Sequence, residues 1–222
     1  MTDTETAFLA RCRAIPVSTW ADALDQFDVW GVVQGIPRQS GSGRICGFAV
    51  TARQVPGKLH EFEKAEFAVG RIVSASAPGK VLMVDVGGQP ISTMGGLAAS
   101  GAKQLGVEGV VIDGACRDID EIRKLGLWLA SRHIAPTTGK GRLKLLPIGV
   151  PVTVGGVHVE QDDLVVGDET GIIVVPRRML GDVLPRAEKL LAADQAVEER
   201  MQVGMSFSAA GAASGYLPPE KR

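Results

Sequence analysis

Two apolar runs rich in β-branched residues, 81–86 and 109–112, stand on either side of a glycine-rich break and a stretch with helical periodicity. Runs of that length, bounded by turn residues and separated by a helix, predict a βαβ unit with parallel strands buried on both faces. A right-handed crossover then brings the segments after the strands, 87–94 and 113–118, to one edge of the sheet. That carboxyl edge is where open α/β sheets take their ligands. Gly95-Gly96 opens the intervening helix, with Ser92 or Thr93 as the expected N-cap.

The rest of the pattern surrounds this unit. Residues 4–13 predict a short helix, and Ser18-Thr19 caps a second that carries Trp20, Ala23 and Leu24 on one face. Alternation over 44–53 predicts a strand, and apolar spacing over 60–76 an amphipathic helix ended by Ala77-Pro78-Gly79. A short helix is expected at 119–125, with Asp120 and Glu121 able to turn toward Arg117, then a buried strand at 127–135. The segment 136–144, PTTGKGRLK, lacks the GxxxxGK[ST] spacing of a P-loop and reads as a solvated connector. Short strands joined by Gly-rich and Asp-rich turns fill 151–176, and a long helix with a mixed-charge face covers 178–203. Together these elements predict an α/β fold, a single-domain sandwich (1–203) built on a central βαβ unit and a mixed sheet. The small-residue stretch 204–222 is expected to be flexible or ordered by a partner.

Composition narrows the function. The 222 residues suffice for one full core. A net charge of −1 and 5% aromatic residues argue against a nucleic-acid partner, which needs basic surface and stacking platforms. Three cysteines without a CxxC pair point to a reduced, cytoplasmic protein, and neither a signal-peptide core nor a membrane-length apolar run is visible.

Chemistry gathers at the predicted carboxyl edge. The helix start at Gly95-Gly96 leaves backbone N–H groups free to face an anion. Arg117 offers a planar fork for a carboxylate, and Asp118 an oxygen ligand for a hard cation. The two are adjacent in a loop and are not expected to pair with each other. Asp85 and Asp113 end strands and are expected to anchor loops, with Asp85 the better placed to support a metal-binding carboxylate from behind. Cys116 reads as a small buried packing residue, and the three histidines lack ligand spacing. Gly87-Gly88-Gln89-Pro90 does not fit the dinucleotide fingerprint GxGxxG.

The string GGLAASGAKQLGVEGVVIDGACRD, with the later VTVGGVHVEQDDLVVGDETGIIVVP, resembles the RraA-like family over about 19–176, most densely at 95–118. The resemblance implies a swivelling phosphohistidine-domain-like fold. It also implies a divalent-metal-dependent carbon–carbon lyase of the class II pyruvate aldolase type. Such enzymes cleave 4-hydroxy-4-methyl-2-oxoglutarate or 4-carboxy-4-hydroxy-2-oxoadipate, or decarboxylate oxaloacetate, through a metal-stabilised pyruvate enolate. In those terms Gly95, Gly96, Leu97 and Ala98 form the substrate cradle, with the N–H groups of Leu97 and Ala98 on the pyruvyl carboxylate. Arg117 holds the carboxylate and oxo group, and Asp118 ligates Mg2+ or Mn2+. The family assembles as homotrimers or homohexamers, and Glu198 or Glu199 would reach a neighbouring subunit's site. One departure stands out: Gly96 occupies a position where aldolase members carry an acid that relays a proton. The expectation is that oxaloacetate decarboxylation, which needs no base, exceeds aldol cleavage. The alternative within the family is a non-catalytic regulator that binds a ribonuclease or helicase. Such members lack the Arg-Asp pair kept here.

Overall fold

A computed structural model describes residues 2–216. Helices α1 (Asp3–Ala14) and α2 (Val17–Asp25) come first, followed by strands β1 (Arg38–Ser40) and β2 (Ile45–Pro56). Next are a 3-10 turn (Lys64–Phe67), α3 (Val69–Ser74), β3 (Lys80–Asp85), β4 (Ser92–Met94), α4 (Gly96–Gln104) and β5 (Gly109–Cys116). The chain continues through α5 (Ile119–Leu125), β6 (Leu129–Ile134) and β7 (Leu143–Leu145), then β8 (Val152–Val154) and β9 (Val157–Val159). It ends with β10 (Leu164–Gly167), β11 (Ile172–Val175), a 3-10 turn (Arg177–Met179), α6 (Leu180–Gln202) and α7 (Phe207–Ser214).

The main sheet runs β1-β6-β5-β3-β2-β10-β11, with β4 beside the end of β5 and β7 beside the end of β2. Its centre, β6-β5-β3-β2, is parallel, β1 and β10 flank it antiparallel, and β11 pairs antiparallel with β10, so the sheet is mixed. Strand alternation divides the core. Leu82, Val84, Val50, Ala52 and Ile112 pack beneath α3, α4 and α5. Val81, Met83, Val111 and Ala49 face the other way, toward the valines of the β8–β9 hairpin. Helices α1, α2 and α6 close a third cluster over Phe48, Leu164, Val166 and Ile173. Each fully buried Leu, Ile or Val here contributes about 1.5–3 kcal/mol.

Several expectations change on folding. Helix α2 starts at Val17 behind Pro16, and its first N–H, that of Val17, donates to Asp168 Oδ2 at 3.2 Å rather than to Ser18 or Thr19; Thr19 turns inward and is buried. Proline's preset φ positions the first turn, so the hydroxyl is free to pack. The helix predicted over 60–76 is two short pieces, because Ala68 takes a left-handed conformation (φ 43°). The break lets Phe67 and Ile72 bury in different parts of the core. Strand β5 runs on to Cys116, four residues past the predicted end. Where β3 stops, at the Asp85–Asp113 pair, β4 takes its place beside Ala115 and Cys116. Consequently Ser92 and Thr93 are strand residues, and Gly95 holds the N-cap of α4 without a side-chain cap. In the stretch expected to be flexible or partner-ordered, Ser206 caps α7 and Arg200 Nη1 donates to Ser214 Oγ at 2.6 Å, which fastens α7 to α6. Residues 217–222 of that stretch lie outside the described residues. No helix among the described residues is long and apolar enough to cross a membrane.

Candidate functional site

The substitution of β4 for β3 beside β5 sets up the site. Met94 ends β4, and its carbonyl accepts the Arg117 N–H at 3.0 Å, so the start of α4 and the Arg117–Asp118 turn are stitched side by side. Asp118 is in the left-handed region (φ 53°, ψ 42°), which costs a non-glycine residue about 1 kcal/mol or more and recurs at functional positions. That turn aims its carboxylate back at α4: Asp118 Oδ2 accepts the Gly96 N–H at 3.1 Å. Arg117 Nε stands 3.5 Å from the same oxygen, so the neighbours do pair, contrary to the sequence expectation. A strand-to-helix turn permits this where an extended loop would splay the two side chains. Gly95 is required for the approach: a Cβ there would lie 2.4 Å from Asp118 Oδ2 and 2.9 Å from Arg117 Nε.

The result is a hollow of about 250 Å3 bordered by Gly95, Leu97, Ala98, Arg117 and Asp118. The first intrahelical bond of α4 is Ala99 N–H to the Gly95 carbonyl at 3.0 Å. The N–H groups of Leu97 and Ala98 therefore have no intrahelical acceptor, and with the helix dipole they favour an anion in the hollow. Asp118 is half open, its side chain 42% exposed, and its Oδ1 accepts no hydrogen bond from the described residues.

Among the described residues, no three His, Cys, Asp or Glu side chains gather to cage a metal. One free carboxylate oxygen in an open polar hollow suits a hard cation that keeps most of its waters. Asp118 fits Mg2+ or Mn2+ in that limited sense.

Residues 18–174 match the family model described as RraA-like, Aldolase/RraA. The chain belongs to the RraA-like family. A Halalkalibacterium halodurans protein named "Putative 4-hydroxy-4-methyl-2-oxoglutarate aldolase" is 31% identical over 199 residues, covering 89% of this chain and 90% of that one. An uncharacterized protein from Pseudomonas syringae pv. tomato superposes with a TM-score of 0.80 at 26% identity, over 92% of this chain and 96% of its own. Streptomyces coelicolor RraAS2, described as an unusual member of the RNase ES inhibitor RraA family, gives a TM-score of 0.77 at 24% identity, over 87% and 96% of the two chains. That last likeness shows the fold alone.

The RraA-like fold brings other groups to the hollow that the sequence did not signal. The segment 136–144, expected to be a solvated connector, folds over the site instead. Ser92 N–H donates to the Thr137 carbonyl at 2.8 Å and Gly139 N–H to the Ser92 carbonyl at 3.0 Å, which places Thr138 and Lys140 on the hollow's wall. Gly139 is pressed so closely on Phe67 that a Cβ would sit 2.4 Å from its ring. A lysine flanked by glycines just after a parallel strand was the available signal. Thr93, also on the wall, donates its hydroxyl to Gln54, whose amide in turn donates to the Phe67 carbonyl at 2.8 Å.

Other predicted residues lie elsewhere. Asp85 points to the hairpin face, where it accepts N–H groups of Gly87 at 2.8 Å and Thr153 at 3.4 Å. It belongs to the odd-numbered face of β3 and so is turned away from α4. Asp113 does the same with Gly155 N–H at 2.7 Å and Arg132 Nε at 2.6 Å. Within one chain, Glu198 and Glu199 sit on α6; Glu198 borders a small surface hollow with Phe207 and Tyr216, and neither lines the Arg117–Asp118 hollow. Cys116 is fully buried with Sγ 3.3 Å from Ser131 Oγ, and burial pushes its thiol pKa up. A protonated, enclosed thiol is a packing group rather than a nucleophile.

Proposed function

We propose that this RraA-like protein is a divalent-metal-dependent carbon–carbon lyase acting on pyruvyl-type 2-oxo acids. Its substrates would be 4-hydroxy-2-oxo acids such as 4-hydroxy-4-methyl-2-oxoglutarate, and oxaloacetate. The observation that carries the reading is the convergence of two unpaired helix N–H groups, a guanidinium and a half-open carboxylate on one hollow. Each has a distinct task. The Leu97 and Ala98 N–H groups receive the C1 carboxylate and fix its plane. Arg117, held by Asp118, presents positive charge to the 2-oxo oxygen, where negative charge grows as the adjacent C–C bond breaks. Asp118 keeps one oxygen on the Gly96 N–H and presents the other to Mg2+ or Mn2+. A bound cation would act as a Lewis acid on the 2-oxo acid, an effect worth several kcal/mol. Lys140 and Thr138, on the far wall, suit the distal carboxylate.

The names carried by relatives such as the Halalkalibacterium protein support the lyase class. Exposed apolar side chains support assembly into a homotrimer or homohexamer: Leu97 at the mouth of the hollow is 93% exposed and Val203 84%. Light scattering tests this, and a stable 23.3 kDa monomer at micromolar concentration would refute it. The decisive experiment for function follows pyruvate release from oxaloacetate and a panel of 4-hydroxy-2-oxo acids, with Mg2+ and with EDTA. Mg2+-dependent release supports the reading. No release from any of them overturns it in favour of a regulator that acts only by binding another protein.

A further inference from the structure

Space beside the Arg117–Asp118 hollow does not end at Lys140. A second, larger hollow of about 690 Å3 is also bordered by Thr138 and Lys140, so these two residues form a wall common to both. The first hollow, about 250 Å3, falls just under the roughly 300–1,000 Å3 usual for small-molecule sites and has room for a pyruvyl head. Its neighbour is completed by the loop 57–65. The Gly57 N–H donates to the Arg142 carbonyl at 2.7 Å. Gly141 (φ 76°) packs on the same loop, where a Cβ would stand 3.6 Å from the His60 nitrogen. Two backbone segments far apart in the chain are thereby held together around the opening.

This second hollow offers two kinds of chemistry. Leu59, 49% exposed, and the half-buried Phe62 give it an apolar border open to solvent. Lys64 and Lys140 supply charge, and the acids around them are committed elsewhere. Glu66 pairs with Lys144 at 2.8 Å and accepts the Glu63 N–H at 2.9 Å, while Glu61 accepts the Lys58 N–H at 2.6 Å. Neither Lys64 nor Lys140 enters an ion pair with the described residues. Glu63 is the one acid on the border among those residues, so two lysines and one glutamate leave a single net positive charge with His60 neutral. One positive charge matches a carboxylate better than a dianionic phosphate.

We propose that the second hollow takes the tail of the substrate, and that the preferred substrates are 4-hydroxy-2-oxo acids whose C4 carries several methylenes ending in a carboxylate. This rests on the lyase reading above and narrows its substrate class. The pyruvyl head stays on the Leu97 and Ala98 N–H groups, and the chain passes Thr138 and Lys140. Its methylenes lie along Leu59 and Phe62, and Lys64 receives the terminal carboxylate. In such an acid the C3–C4 bond breaks and its electron pair stays with C3 as the pyruvate enolate. The C4 hydroxyl becomes an aldehyde, and its proton ends on C3. The products are pyruvate and an aldehyde that keeps the distal carboxylate. Lys64 sets specificity and takes no part in bond breaking.

The test reads binding as well as turnover, on the full-length protein with Mg2+. Calorimetry follows 2-oxoglutarate, 2-oxoadipate and 2-oxooctanedioate, which lack the C4 hydroxyl, with 2-oxooctanoate as the tail without a carboxylate. Affinity is expected to rise about twofold per added methylene along the diacids, and 2-oxooctanedioate should bind about tenfold tighter than 2-oxooctanoate. Lys64→Met should abolish that tenfold advantage, Lys64→Glu reverse it and Lys64→Arg keep most of it. Pyruvate release should follow, with kcat/KM for 4-hydroxy-2-oxooctanedioate about tenfold above that for 4-hydroxy-2-oxoglutarate in wild type. No gain with chain length, or a gain indifferent to Lys64, overturns the proposal, while pyruvate release from the shorter acids leaves the lyase reading standing. If no 2-oxo acid binds, and neither the hydroxy acids nor oxaloacetate release pyruvate, both fall.

Discussion

Three aspartates stand at one edge of the sheet, and two of them differ sharply from the third. Asp85 and Asp113 are 7% and 6% exposed; Asp85 accepts two backbone N–H groups and Asp113 one, and each also stands against an arginine. Asp118 is half open, left-handed in backbone, and tied by one oxygen only. A buried carboxylate whose lone pairs are filled by its own chain has nothing left for a ligand; it holds loops in place. A half-open one in a strained turn is held by its surroundings and keeps bonding capacity in reserve. Asp85 and Asp113 are paired strand residues whereas Asp118 is in the turn between β5 and α5, so the same residue type does different work according to where the backbone puts it and what it faces.

Substitutions can break this contrast, and the largest effect is expected at Asp118. Asp118→Ala should lower Mg2+-dependent pyruvate release about 1000-fold or more with only a small drop in urea midpoint, because it removes the carboxylate proposed to hold the metal and no core contact, while alanine tolerates the left-handed backbone slightly less well than aspartate. Full activity in this variant, or in EDTA-treated wild type, would end the metal reading.

Asp113→Ala should do the reverse. It orphans the Gly155 N–H and leaves the Arg132 guanidinium without its partner, a loss of about 3 kcal/mol in unfolding free energy. Activity per folded molecule should stay within about twofold. A catalytic defect without destabilisation would show that the saturated aspartates also serve the site.

Smaller effects sharpen the geometry. Gly95→Ala forces a methyl against Asp118 Oδ2 and Arg117 Nε, and a displacement of that order should cost about 100-fold in kcat/KM. Lys140→Met should raise KM about tenfold for substrates with a distal carboxylate and leave kcat nearly unchanged, the mark of a group that binds without taking part in bond breaking. A panel of substrates with and without that carboxylate checks this, and an equal KM change across the panel would remove Lys140 from the binding surface.

The parallel βαβ unit was legible because buried strands and an amphipathic helix have different periods, and both are local properties of 81–112. Arg117, Asp118 and the helix start at Gly95-Gly96 could be marked as one edge because right-handed crossovers leave no other arrangement. Glu121 was visible only as an acid able to turn toward Arg117; that its stem packs against Gly96, 3.1 Å from where a Cβ would stand, depends on how α4 and α5 dock. Lys140 was missed altogether. A glycine-flanked lysine in a loop reads as solvated until Thr137 and Gly139 are seen bonded to Ser92, more than forty residues earlier in the chain.

The sequence by itself determined which segments are buried strands, which residues begin the central helix, and that an arginine and an aspartate follow the second parallel strand. Tertiary structure alone decided that β4 replaces β3 beside the end of β5, that Arg117 and Asp118 touch, that Asp85 faces the hairpin, and that 136–144 closes over the hollow. The division has a physical cause. Burial and periodicity are written in neighbouring residues, whereas the side of the sheet a carboxylate faces, and the N–H groups it meets there, depend on strand register and loop docking between residues far apart in the chain.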